Sequence, residues 1–466
     1  MNKAKVKAVS PHIRLGDVRY NLSLILTECR TAADQGYKTV VFPKDCLTGA
    51  TLGDLAGQTI VRDAAAQAKL EIEALCSSLG IAAVLESFTA PGLRCICAAD
   101  PMLVGSTRAK IDEIVTLSLQ EHCTVVYANA GEGESGTDFV YSGACIVACE
   151  GELLSAPEPL PRCEEIFAIQ TLALSARLGY ARCRSAVIGV SGGLDSTLAL
   201  LVCCRAADML GWDRRQVIAV TMPGFGTGSR TYDNALALMH GLGVQCREIS
   251  IVPAVTGHLN DISHPLDRHD ATYENAQARE RTQILMDVAG DEGGLVVGTG
   301  DLSELALGWC TYNGDHMSMY AVNAGLTKSA IRETVGYLAE HTFESVGDIL
   351  RDIIDTPVSP ELLPGTQATE DIVGPYALHD FFLERFICGD SPRQILDAAL
   401  QREELAPWRD TAAKWLRIFI KRFFAGAFKR SCSPDGPAIF GMSLSPRQGF
   451  RMPSDACPDL WLDSLD

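Results

Sequence analysis

The sequence predicts an α/β protein of two units, each built on short buried strands alternating with helices, the second around a doubly wound parallel sheet. Three observations carry that expectation. Short apolar runs such as TVVF and AVIGV recur between stretches with apolar residues at helical spacing, the alternation that builds parallel sheets. At 466 residues the chain is longer than one hydrophobic core ordinarily serves. Between two runs of alternation lies EGELLSAPEPLPRCEE, residues 150–165, rich in Pro and Glu, which marks a boundary between a unit at 1–155 and another at 160–466.

The elements follow in order. KVKAVS and KTVVF are short strands separated by a helix over 16–34, where Leu22, Ile25, Leu26, Cys29 and Ala33 share a face. Residues 62–79 are helical, IAAVLES and LRCICAA are strands, 107–121 is helical, TVVYANA is a strand, and FVYSGACIVAC alternates. The second unit opens at about 166 with a helix, then AVIGV, a Gly-rich loop and a long helix from 194. QVIAVTM, GVQCREISI and GGLVVGTG are its next strands, with helices at 231–242 and 273–289 between them. That order implies the doubly wound sheet. After 375 the chain is mostly helical and ends in a tail containing Pro and Arg.

Composition narrows the function. Hydrophobic residues make up 47% and charged residues 21%, as in ordinary globular proteins. A formal net charge of −18 argues against nucleic-acid binding, which needs a basic footprint, but leaves room for a small anion in a locally basic pocket. The apolar runs are interrupted by charge well short of a membrane span, and MNKAKVKAVSPHIRLGD lacks a secretory apolar segment, so a cytoplasmic protein without a membrane partner is expected. The 17 Cys are scattered through apolar runs without a CxxC pair, the pattern of reduced core thiols rather than a zinc site.

The most informative stretch is AVIGVSGGLDSTLALL, residues 186–201. A strand ends in Ser191, Gly192, Gly193, Leu194, Asp195 and Ser196, and a helix follows at once. Glycines let backbone approach a ligand, free N–H groups open the helix, and the helix dipole favours an anion there. The two serines add hydroxyl donors. Asp195 would repel phosphate unless a divalent metal lies between them. There is no Gly-Lys-Ser/Thr and no GxGxxG. The competing reading is a glycine-rich turn that binds nothing.

SGGLDS after a strand resembles the pyrophosphate loop of the ATP pyrophosphatases, a Rossmann-like fold whose members cleave ATP between its α- and β-phosphates to adenylate a substrate. Further blocks, TMPGFGTGSRTYDNALALMHGLGV (221–244), TYENAQARERTQILM (272–286), VVGTGDLSELALGWCTYNGDHMSMYAVNAGLTK (296–328), DTPVSPELLPGTQATEDIVGPYALHDFF (355–382) and FKRSCSPDGPAIFGMSLSPRQGFRMPSDA (428–456), resemble NAD synthetase, in particular the bacterial two-domain, glutamine-dependent kind. The resemblance implies a two-step amidation with ATP and Mg²⁺. The carboxylate of deamido-NAD is adenylated with release of pyrophosphate, and ammonia then displaces AMP.

It also implies the site. Gly189, Ser191, Gly192, Gly193, Leu194, Asp195, Ser196 and Thr299 would bind ATP. Asn275, Arg279, Glu304, Trp309, Thr311, Tyr312 and Lys429 would bind deamido-NAD, with 309–312 near the nicotinate and Lys429 closing over the substrate. Asp195 and Glu304 would hold Mg²⁺, and Lys328 would serve the phosphates and the transition state. Asp315 in YNGDHM would take a proton from ammonium; a plain turn residue is the competing reading. Arg279 and Arg281 add positive charge, or form a solvated helix face. Cys310 is expected to pack rather than react.

The first 150 residues resemble the nitrilase-like glutaminase domain that precedes NAD synthetase in those enzymes, whose fold carries a Glu–Lys–Cys triad. KVKAVSPHIRLGDVRYN, TVVFPKDCLTGATLGDL and VVYANAGEGESGTDFVYSGACIVACEGELL carry the resemblance. Two departures stand out. Lys44 occupies the position of the Glu base, and an ammonium cannot deprotonate a thiol as a carboxylate can. RCICAADPMLVGS passes almost directly to VVYANAG, so the middle of the family domain, with its catalytic Lys and Cys, has no counterpart. Cys46 lies beyond the base position, and Cys95 and Cys97 are expected in the core. A shortened, inactive glutaminase is therefore expected, with nitrogen taken from free ammonia or from a separate glutaminase docked on the remnant. A homo-oligomer is expected because the family's substrate site lies at a subunit interface. The alternatives are an adenylating amidase that uses another amine and a non-enzymatic regulator.

Overall fold

Interior strands of the two units, Thr124–Asn129 and Val217–Thr221, are buried at every residue, so both of their faces are covered. The computed structural model describes residues 5–357, 362, 369–447 and 449–466; 358–361 and 363–368 of the 355–382 block, and 448 of the tail, lie outside the described residues. The chain divides into two units, Met1–Glu165 and Ile166–Asp466.

The first unit has two sheets. Strands β1 (Val6–Ala8), β2 (Thr39–Val41) and β3 (Ala82–Val84) form a parallel sheet in that order. Strands β4 (Phe88–Ala90), β5 (Leu93–Ala98), β6 (Thr124–Asn129), β7 (Cys145–Cys149) and β8 (Glu152–Ser155) form a second, parallel between β5 and β6 and antiparallel elsewhere. The helix Val18–Asp34 starts where Asp17 accepts the Tyr20 amide at 3.0 Å. Its Ile25, Cys29 and Ala32 face a core shared with Val40, Phe42 and Ile72.

Two expectations change here. The alternation in FVYSGACIVAC forms strand only over Cys145–Cys149, because Val140 accepts from Met102 and Gly143 donates to Ala130, so 140–143 links loops instead of extending the ladder. The Pro- and Glu-rich boundary contains a strand, β8, joined to β7 through Glu150 (φ 50°) and Gly151 (φ 88°). Two consecutive positive φ values are what a two-residue hairpin turn demands.

Among the described residues the second unit has five parallel strands: β9 (Ser185–Gly189), β10 (Val217–Thr221), β11 (Gln245–Glu248), β12 (Gly294–Gly298) and β13 (Tyr320–Ala321). Their spatial order is β11-β10-β9-β12-β13. The chain starts in the middle at β9, moves outward through β10 and β11, then crosses to β12 and β13. That reversal opens a crevice at the carboxyl ends of β9 and β12, where ligands bind in such sheets. On one face Val187, Ile218, Val220 and Val296 pack with Tyr273, Ala276 and Ala289 of the helix Ala271–Glu292. The alternate residues Ala186 and Ile188 are also fully buried.

The helix Leu194–Met209 is apolar all round over its middle, with every residue from Leu198 to Cys204 inaccessible. It lies between the sheet and the helix Lys328–His341, which explains its lack of a polar stripe. Helices Tyr376–Ile387, Pro392–Gln401 and Ala412–Ala425 build an aromatic core of Phe382, Phe386, Phe419 and Phe423 against Leu302–Leu307. Leu198→Ala should lower stability by about 2–5 kcal/mol, the range for emptying a fully buried leucine site. Leu153→Ala, 44% exposed, should change stability by no more than about 0.5 kcal/mol. Chemical denaturation of both variants checks this.

Candidate functional site

The site grows from the end of β9. Gly192 has φ 85°, and a Cβ there would lie 1.9 Å from the carbonyl oxygen of Thr231, so no other residue fits without backbone movement. Ser191 Oγ accepts the Gly193 amide at 3.1 Å, and Ser196 and Thr197 hydroxyls donate to Gly193 O at 3.0 and 2.9 Å. The loop is thus fixed by its own hydroxyls. Gly193 provides no side-chain cap, so the first amides of the helix Leu194–Met209 are left for a ligand.

Asn323, fully buried, ties this loop to the neighbouring strand end. Its Nδ2 donates to Asp195 O and to Thr299 O, both at 3.0 Å, while its Oδ1 accepts from Gln170 at 2.9 Å. The two sides of the crevice are therefore held by one amide.

Behind the loop lies a charge cluster. The Lys328 ammonium is 2.6 Å from Asp195 Oδ2, 2.7 Å from Asp301 Oδ2 and 3.0 Å from Glu304 Oε1. The lysine side chain is 5% exposed and Asp301 is fully buried. Burial opposes the charge on Lys328, but the three carboxylates together outweigh it and hold its pKa well above the ordinary lysine value. Burial, only partly offset by Lys328, raises Asp301 well above the carboxylate range and raises Glu304 to about 7. Each carboxylate also repels the others. Asp301 acts on the backbone as well, since its Oδ1 accepts the Glu304 amide at 2.7 Å and caps the helix Leu302–Leu307.

This cluster fits a hard divalent cation. Ligand oxygens of Asp195, Asp301 and Glu304 lie within 4.8 Å of one another, and all-oxygen donors suit Mg²⁺. One lysine against three carboxylates leaves an excess of negative charge. Asp195 Oδ1 is buried without a hydrogen-bond partner among the described residues, an acceptor that a cation would satisfy.

A cavity of about 570 Å³ opens in front of these groups, ample for a nucleotide. Of the residues the sequence singled out, Gly189, Ser191, Gly192, Gly193, Leu194, Asp195, Ser196, Thr299, Asn275, Glu304, Trp309, Thr311, Asp315 and Lys429 line it. Lys429 Nζ donates to Gly308 O at 2.8 Å and Cys310 O at 2.6 Å, fastening the 308–310 turn. Asp315 accepts the Thr311 amide at 2.6 Å and presents an accessible surface; the protein around it raises its pKa, against that hydrogen bond.

Three expected residues stand apart from the lining. Lys328 lies behind the carboxylates. Arg279 donates to Tyr312 O at 3.2 Å on the outer surface, and the Tyr312 ring is exposed beside Phe428. The structure adds residues that no sequence motif singled out: Asp301, Asn323, Arg422 and Tyr376. Arg422 lies 5.0 Å from the Trp309 ring centroid, and the Lys328 ammonium is 5.2 Å from the Tyr376 ring centroid. The DLSE stretch is the available signal for Asp301, since an Asp three residues before a Glu is a helix-start pattern.

A parallel sheet with a fixed glycine loop at its switch point and an acidic, cation-seeking cluster beside it defines a nucleotide-binding α/β domain. A family model described as NAD synthase matches residues 168–412. The chain belongs to that family. It is 40% identical over 339 residues to the glutamine-dependent NAD(+) synthetase of Mycobacterium leprae, covering 65% of this chain and 49% of that protein. It is 28% identical over 391 residues to the enzyme of the same description from Acinetobacter baylyi, covering 78% of this chain and 68% of that protein. The chain spans about half the length of the curated mycobacterial relatives it matches. The fold is that of a glutamine-dependent NAD(+) synthetase from Cytophaga hutchinsonii, with a TM-score of 0.82 at 16% identity over 98% of this chain and 99% of that one.

The cluster has a stability signature. Glu304 binds its proton more tightly in the folded chain, with a pKa of about 7, than in the unfolded chain, near the ordinary 4.5. The folded chain therefore carries more protons in that window, and this group's contribution to stability falls as pH rises through it. Glu304→Gln should narrow the drop in melting temperature between pH 5 and pH 7.5 relative to the parent chain. An unchanged or wider drop would contradict the assignment.

Proposed function

We propose that this chain catalyses the ATP-dependent amidation of deamido-NAD to NAD through an adenylate, releasing AMP and pyrophosphate, with ammonia as the nitrogen source. The observation that carries the reading is the coincidence of the uncapped SGGLDS helix start with the Asp195–Asp301–Glu304–Lys328 cluster at one strand-end crevice. Family membership supplies the substrate class.

The chemistry follows from the groups. The amides at 194–196 and the Ser191 hydroxyl bind phosphate oxygens. Asp195 and Glu304 would hold Mg²⁺, which would supply the positive charge that makes pyrophosphate a good leaving group. Lys328, behind the carboxylates, keeps them apart and in place. The nicotinate carboxylate attacks the α-phosphorus and the bond to pyrophosphate breaks. Ammonia then adds to the acyl carbon and AMP departs. Ammonia is mostly ammonium at neutral pH, and Asp315, with a raised pKa at the cavity wall, accepts its extra proton. Lys429 and the 308–311 segment enclose the nicotinate end. The family's dimeric site leads us to infer a homo-oligomer.

Ammonia rather than glutamine is favoured by the first unit. Cys46 is buried in the core with Val40, Phe42 and Leu47, and burial beside Cys97 pushes its thiol far up, away from a nucleophilic thiolate. Lys44 and Asp45, its chain neighbours, are exposed. Glu134 is occupied by the amides of Ala50 and Thr51 at 2.8 and 3.0 Å. The relatives are named glutamine-dependent; the missing middle of the domain is why we assign this chain a different nitrogen source.

Purified protein with deamido-NAD, ATP and Mg²⁺ should form NAD with ammonium, and at least about tenfold more slowly with glutamine. Equal rates would reject the ammonia assignment, and no NAD from either would reject the whole reading. Asp195→Ala should reduce ammonium-driven turnover by roughly 10²-fold or more, the scale for losing one electrostatic partner of a transition state. Cys46→Ala should leave it intact.

A further inference from the structure

The second unit contains a thiol–imidazole pair that the proposed amidation does not use. Cys432 Sγ lies 3.4 Å from His316 Nε2. His316 Nδ1 lies 2.9 Å from the carbonyl oxygen of Thr311. A carbonyl can only accept, so Nδ1 carries the ring proton and Nε2 is left with its lone pair facing the thiol. A thiol, a base within hydrogen-bond reach, and a third group orienting that base are the parts of an activated nucleophile.

The surroundings bear on the same point. Cys432 Sγ has two other acceptors within reach, Lys429 O at 3.4 Å and Asn313 Oδ1 at 3.8 Å. Neither is a base; of the three, only the imidazole can keep the proton. Cys432 is partly exposed, whereas His316 is buried and fixed. A second thiol–imidazole contact, Cys246 Sγ to His240 Nδ1, is longer at 3.9 Å, and burial pushes Cys29, Cys97, Cys204 and Cys310 up to about 12. Cys388 and Cys457 are exposed, without an imidazole contact among the described residues. His316 also lines the cavity next to Asp315 and Lys429, so the pair stands at the end assigned to the nicotinate.

We propose that Cys432, activated by His316, is a modification site for hydroperoxides. The thiol proton passes to His316 Nε2, and the thiolate attacks one peroxide oxygen. The O–O bond breaks, the other oxygen leaves with its bond pair and takes the proton from His316. Cysteine and hydrogen peroxide thus become sulfenic acid and water, the cysteine oxidised and the peroxide reduced. The sulfur that gains the oxygen lies 3.4 Å from both His316 Nε2 and Lys429 O, and these two residues line the cavity.

The experiment needs no turnover. The full chain is treated with hydrogen peroxide in the presence of dimedone, and labelled cysteines are quantified by peptide mass spectrometry over time. Cys432 should be labelled at least about tenfold faster than Cys388 and Cys457, although it is less exposed. His316→Asn should bring Cys432 down to the rate of those two. If the parent chain labels Cys432 no faster than the exposed pair, the proposal is wrong. A folded His316→Asn protein with unchanged labelling would equally overturn it. A functional consequence rests on the proposed amidation: peroxide should inhibit the parent chain and spare Cys432→Ser. Because labelling is read separately from NAD formation, failure of one reading is not mistaken for failure of the other.

Discussion

The second unit is organised around the contact between the Lys328 ammonium and the carboxylates of Asp195, Asp301 and Glu304. A lysine this deeply buried needs compensation, and breaking such a cluster by removing one partner ordinarily costs about 3–5 kcal/mol. The four groups come from three separate chain segments: the helix after β9, the turn and helix after β12, and the helix that starts at Lys328. Bringing them together fixes where those segments stop and start. Ser303 Oγ accepts the Lys328 amide at 3.0 Å, and Asp380 accepts the Ser329 amide at 3.0 Å. The helical C-terminal part is thereby tied to the same point.

The arrangement is not optimised for stability alone. A buried carboxylate with a strongly raised pKa, a second carboxylate poised near neutrality and an Asp195 oxygen without a hydrogen-bond partner among the described residues all represent charge the fold tolerates without fully neutralising. Clusters of this kind concentrate where chemistry is done. The loop in front is built on the same principle: Gly192 accepts a left-handed backbone pressed against Thr231, and the helix start is left without a cap. Both features leave donors and acceptors facing the cavity.

Much of this is legible in the sequence, for identifiable reasons. β9, β10 and β12 are continuous apolar runs, and the loop after β9 announces itself through its glycines and serines. Asp195 and Glu304 stand out because they sit in dense motifs. What the sequence hides is set by distant contacts. Asp301 is one residue beside a glycine turn, and only its burial against Lys328 gives it weight. Asn323 acts through hydrogen bonds to residues 24 and 128 positions away. β13 is two residues long and exists only because β12 offers an edge. In the first unit, β8 is hidden in a stretch whose prolines and glutamates look like linker, although the Glu-Gly pair at 150–151 carries a hairpin signal. In the same unit the thiol of Cys46, set among polar residues in the sequence, serves packing in the core beside Val40 and Phe42.

A carboxylate cluster that is a cation site turned toward nucleotide phosphates must make nucleotide binding depend on the ion. Isothermal titration of ATP into the full chain, with and without Mg²⁺, reads that dependence. Without the ion, the tetra-anionic nucleotide meets an acidic cluster that one lysine cannot neutralise, so affinity should rise at least about tenfold when Mg²⁺ is added, a gain of roughly 1.4 kcal/mol. ATP binding that is equally tight in the absence of any divalent ion would show that the cluster is not such a site.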